Sequence, residues 1–141
     1  MKTIGLIAVV GIALLAATGC GSSQSAADKA KGQACDAISD IQAQITTLKG
    51  LPLSTSSVDT AQTAFKDINS DLETISKALP DVAGDVKTEL QAANTAFEAQ
   101  VKETAQSITS AQSLTAAATA VGTAAATLGA SYQQTLGGVK C

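Results

Sequence analysis

From Val58 to Leu79, the residues Val58, Ala61, Phe65, Ile68, Leu72, Ile75 and Leu79 recur at intervals of 3, 4, 3, 4, 3 and 4. That alternation keeps one stripe of a helix apolar for three heptads. A strand, whose side chains alternate with period two, would scatter the same residues over both faces. A helix with so long an apolar stripe has to bury it, so the rest of the chain must supply partner helices.

Three further segments carry the same period. Cys35, Ile38, Ile41, Ile45 and Leu48 are spaced 3, 3, 4 and 3, and Lys49-Gly50 is the expected end of that helix, a cationic last turn followed by a C′ glycine. Leu51 to Thr55 reads as a loop, with Ser56 as the N-cap of the Val58 helix. Pro80 ends that helix, since it has no amide proton and disfavours helical backbone at Leu79. A third helix is expected to open at Asp81 and to carry Val82, Val86, Leu90, Ala93, Phe97, Val101 and Ile108. Ser113 is the expected cap of a fourth, with Leu114, Val121, Leu128, Tyr132 and Leu136 inward, a second stripe of Ala118, Gly122, Ala125 and Gly129, and Gly137-Gly138 at its end. Glu73–Lys77 and Glu98–Lys102 are i,i+4 pairs in the favourable orientation. No segment alternates with period two, so the expected fold class is all-α, an up-down four-helix bundle over residues 32–141.

The chemistry that the chain lacks narrows its function. It contains no His, Arg or Trp, and 15% of its residues are charged. Without His there is no imidazole base, and the Glu-x-x-His pairs of di-metal bundles cannot be built. Ser and Thr are abundant, but no base stands beside any of them to activate a nucleophile. The carboxylates Asp67, Asp71, Asp81, Asp85, Glu89, Glu98 and Glu103 carry no metal-ligand signature. Asp81, Asp85 and Glu89 share a helical face at i, i+4 and i+8, which reads as a solvated acidic stripe. No glycine pattern cradles a phosphate, and the acidic balance does not suit nucleic acid. Catalytic, cofactor-binding and metal-ligating residues are all expected to be absent. Thr104 to Val139 holds no charged residue, yet its repeated Thr and Ala and few large aliphatics fit a close-packed core helix better than a membrane span.

The beginning of the chain has a different character. Met1-Lys2-Thr3 is short and basic, Ile4 to Ala17 is a continuous run of apolar and small residues, and Thr18-Gly19-Cys20 follows. These are the three parts of a secretory signal peptide. Ala17-Thr18-Gly19-Cys20 resembles the lipobox of bacterial lipoproteins, with Ala17 standing where that family prefers Leu. The resemblance implies cleavage after residue 19, a signal peptide over 1–19, and Cys20 as an acylated N-terminus carrying diacylglycerol and a further fatty acid such as palmitate. Residues 20–31, rich in Gly, Ser and Ala, then serve as a flexible tether.

Acylation of Cys20 leaves Cys35 and Cys141 as an even pair on the oxidising side of the membrane. Cys35 lies near the start of the first helix and Cys141 just beyond the last. Short loops bring both to one end only if the helix count is even, and four helices satisfy this. Loss of Lys2 with the leader leaves eight lysines against twelve acids, a net charge of −4. Such a body is not drawn to an anionic bilayer, so attachment rests on the acyl chains.

The expectation is therefore a non-enzymatic surface lipoprotein. It is extracytoplasmic, anchored to the bacterial cell membrane through its N-terminal lipid, and presents a helical bundle to a protein partner in the envelope. The alternatives are a carrier of a small apolar ligand or lipid, and an exclusion lipoprotein of the phage type. In layout the chain is similar to small Ala/Thr-rich actinobacterial lipoproteins, a likeness that implies a location and no activity.

Overall fold

A computed structural model describes residues 25–52, 54 and 56–141. The expected signal peptide (1–19) and Cys20 lie outside the described residues. Four helices follow one another: α1 (Ala26–Gly50), α2 (Ser56–Ala78), α3 (Asp85–Thr109) and α4 (Leu114–Gln134). Single 3₁₀ turns at Leu79–Asp81 and Leu136–Gly138 follow α2 and α4, and no strand occurs among the described residues. The fold is an all-α four-helix bundle. In it α1 packs against α2 and α4, α3 packs against the same two helices, and α2 also reaches α4 across the interior.

The inner stripes are those the periodicity marks. Ile38, Ile41, Ile45 and Leu48 of α1 meet Phe65, Ile68, Leu72 and Ile75 of α2 in one core with Leu90, Phe97, Val101 and Ile108 of α3. From α4 come Val121, Leu128 and Tyr132, but otherwise alanines, so that helix lies close to its neighbours. Phe97 and Tyr132 meet edge to face, their ring centroids 6.2 Å apart at 79°, an arrangement that aligns ring edge with ring face. Gly129 is buried, and a Cβ there would run into the end of the Lys49 side chain, whose Cε and Nζ lie over the helix at that point.

The helix boundaries differ from expectation in several places, each for a local reason. α1 begins at Ala26, so six residues of the expected tether, 26–31, are helical. Ser25 accepts from the Asp28 amide at 3.1 Å while the Asp28 carboxylate accepts from the Ser25 amide at 3.3 Å. This capping box satisfies two of the amides that a helix start leaves open. Gly50 is the last residue of α1 and not a cap beyond it. Ser56, expected as an N-cap, is already the first helical residue of α2.

The third helix opens at Asp85 and not at Asp81. Pro80 and Asp81 are taken up in the 3₁₀ turn, and Gly84 caps α3 with a φ of 69°. Val82 is buried, but from the turn and not from a helical stripe. Asp81, Asp85 and Glu89 therefore do not share one helix. Ser113 caps α4 as expected, accepting from the Ala116 amide at 3.1 Å. Leu114 is 62% exposed. It occupies the first position of α4, where the helix has not yet entered the bundle.

Three polar residues, Ser57, Asn94 and Thr104, are buried where the apolar spacing does not mark them. Asn94 of α3 is 3% exposed, and its amide donates to Ser76 Oγ at 2.9 Å and to the Leu72 carbonyl at 3.4 Å. Its Oδ1 has no partner, a cost of about 1–3 kcal/mol.

Replacing Ile68, fully buried at the centre of α2, with Asp should lower stability by several kcal/mol in urea unfolding. Two glycines should respond in opposite directions. Gly32→Ala, in the open interior of α1, should stabilise by about 0.5–1 kcal/mol. Gly84→Ala should destabilise by roughly 1 kcal/mol or more, because its backbone is left-handed.

Candidate functional site

The most definite chemical feature is the cysteine pair. Cys35, half-buried in the third turn of α1, is joined to Cys141, with their Cα atoms 5.6 Å apart. The α4 end of the chain is brought there by ordinary packing. Leu136 is fully buried, Val139 packs against the core, and the Tyr132 hydroxyl donates at 3.4 Å to the Ile38 carbonyl and to Gln42 Oε1. Burial pushes the Tyr132 phenol above its usual range. Tyr132 is thus a neutral donor that pins α4 to α1 a turn above the disulfide. Cys20, the expected acylation site, falls outside the described residues.

The acidic residues divide by location. Asp67 and Asp71 of α2 face Asp36 and Asp40 of α1 across the α1/α2 seam. There a groove of about 450 Å³, lined also by Gln33, Thr74 and Lys77, continues past Asp40 and Asp71 to Asp67 and Ser70. Partial burial pushes the Asp71 carboxyl above its ordinary value, and the charges of Asp40 and Asp67 push in the same direction. Glu73 and Glu98 are engaged on their own helices, 2.8 Å from Lys77 and 2.6 Å from Lys102. The hydrogen bond from Lys77 holds the Glu73 carboxyl below its usual range.

Among the described residues, no group of three or more Asp, Glu or Cys is placed to hold a metal ion. Sequence reasoning named Asp67 and Asp71 but passed over Asp36 and Asp40. The available signal was that both pairs are i,i+4 acids without an intervening lysine, but only the α1/α2 packing sets them face to face.

The uncharged stretch also finds its place. Leu114–Gly138 is long and apolar enough to cross a membrane: its most apolar 18-residue window has a mean hydropathy of 1.2, and 39% of that window is buried in the bundle. Its inner alanines, Val121, Leu128 and Tyr132 pack on the other helices, and its outer face is Thr and Ala. No family model, curated protein or solved structure matches the chain.

The Asp71 carboxyl binds its proton more tightly in the folded than in the unfolded chain. Its charge therefore opposes folding at neutral pH, and that opposition fades as the pH falls through its folded pKa toward 3.8. Asp71→Asn should raise stability at pH 7 by no more than about 0.5 kcal/mol, since solvent screens the site. The difference from wild type should shrink on acidification. Paired urea titrations at pH 7 and pH 4 check both the sign and the trend.

Proposed function

We propose that this protein is a bacterial envelope lipoprotein, acylated at Cys20, which displays a non-enzymatic helical bundle outside the membrane for contact with another envelope protein. The observation that carries the reading is the distribution of the cysteines. Cys35 and Cys141 occupy one another, which leaves Cys20, behind an apolar run and Thr18-Gly19, as the unpaired cysteine. The segment between acylated Cys20 and the helix cap at Ser25 is only Gly21-Ser22-Ser23-Gln24. At full stretch it spans no more than about 17 Å, so the bundle would be held close to the bilayer by its α1 end.

In this arrangement the loops between α1 and α2 and between α3 and α4 point away from the membrane and are the parts that a partner meets first. Two or more acyl chains supply stable anchoring, which the net negative body cannot. A non-catalytic role is supported by carboxylates that, among the described residues, lie on open surface or in exposed ion pairs.

Expression of Cys20→Ala in a bacterial host, followed by membrane fractionation and mass spectrometry, tests the anchor. Either release to the soluble fraction or retention of the uncleaved leader is expected. A variant that is processed and remains with the membrane as the wild type does would overturn the reading.

A further inference from the structure

We propose that the α2/α3 groove beside Phe65 and Ile108 is a binding site for a small amphiphilic monoanion, an alkyl or arylalkyl carboxylate, with Lys66 receiving its charged head. The groove exists because α3 places the small Ala105 one turn before Ile108 and Thr109, where a large apolar side chain would otherwise fill the seam against α2. Its volume is about 290 Å³, near the lower end for small-molecule sites, where an apolar lining and a few polar groups are the rule. Phe65, Ala105 and Ile108 supply the apolar part.

The polar groups at the rim decide the sign of the ligand. Asn69 spends one of its two amide N–H donors on the Phe65 carbonyl at 2.9 Å, and Thr109 spends its hydroxyl on the Ala105 and Gln106 carbonyls at 3.2 and 3.1 Å. The donors left over are the Lys66 ammonium, the Gln62 amide and the second N–H of Asn69, and Lys66 alone among them is charged.

Lys66 differs from the other lysines of these two helices. Lys77 and Lys102 each hold a glutamate one turn earlier, and Lys87 donates to the Pro80 carbonyl at 3.2 Å. Around Lys66 the i±3 and i±4 positions are Gln62, Thr63, Asn69 and Ser70, and it has no ion-pair partner among the described residues. A lone cation at the edge of an apolar trough, on a protein of net negative charge, matches an anion with an apolar tail and disfavours a cation of the same shape. This site is independent of acylation at Cys20, so its failure would leave the proposed anchoring untouched.

The test uses the full chain in lipid nanodiscs, labelled at isoleucine methyls and titrated with 4-phenylbutyrate, 4-phenylbutanol and 4-phenylbutylamine. Following Ile108, and not the ligand, separates binding in the groove from partition into lipid. The expected result is a saturable shift of Ile108, with Ile41 and Ile75 unmoved, and about tenfold tighter binding of the carboxylate than of the alcohol. Lys66→Gln, a surface change, should abolish that preference, and Ala105→Leu should block all three compounds by filling the groove. An Ile108 signal that does not saturate, equal binding of amine and carboxylate, or an unchanged preference in Lys66→Gln would each overturn the proposal.

Discussion

The bundle depends on the tie between Cys35 and Cys141, because it closes the α1/α4 side, where small side chains limit what packing supplies. α1 and α2 meet through rows of Ile, Leu and Phe, whereas α4 brings mainly alanines and one glycine to α1. Small side chains allow a close approach but each removes little surface from water, so burial per residue there is modest. Three specific contacts compensate. Tyr132 reaches the Ile38 carbonyl, Leu136 is driven into the core, and the cross-link spans 106 residues of sequence. A loop of that length is worth roughly 4–5 kcal/mol by the chain-entropy estimate, comparable to the whole stability of a small domain.

Much of this was legible in the sequence, and the legible part is the part set by burial. The stripe from Val58 to Ile75 faces inward without exception, since its spacing admits no other buried face. Pro80 and Ser113 act at the boundaries their chemistry dictates. Less legible were features that depend on one or two hydrogen bonds. Ser25 and Asp28 form a capping box within a stretch whose Gly/Ser/Ala composition suggests a tether, and four residues of the right geometry outweigh that composition. Gly84 delays α3 because a left-handed glycine serves as its start, a use less common than glycine at a helix end. Asn94 lies next to Ala93, and both face inward because a helical stripe advances by three or four residues with equal ease.

The surface follows from the same division. All the charged residues that the structure places on helices are carried by α1, α2 and α3, and α4 carries none. The acidic seam between α1 and α2 could not be read from spacing alone, because Asp36 and Asp40 face Asp67 and Asp71 only after the two helices have packed. The apolar groove between α2 and α3 likewise arises from the small side chain at Ala105. The bundle thus has an anionic seam, an apolar groove and a neutral α4 face, and the proposed role for Lys66 rests on that layout.

The claim on which the rest turns is that Cys35 and Cys141 are bonded within one molecule. Digestion of the non-reduced protein after glutamate cuts the chain at residues 73, 89, 98 and 103, so mass spectrometry reads the linkage directly. The account predicts that the fragment 104–141 is found joined to the fragment that ends at Glu73, from a protein that runs as a monomer without reductant. Free thiols at both positions, or two copies of 104–141 joined through Cys141, would contradict it.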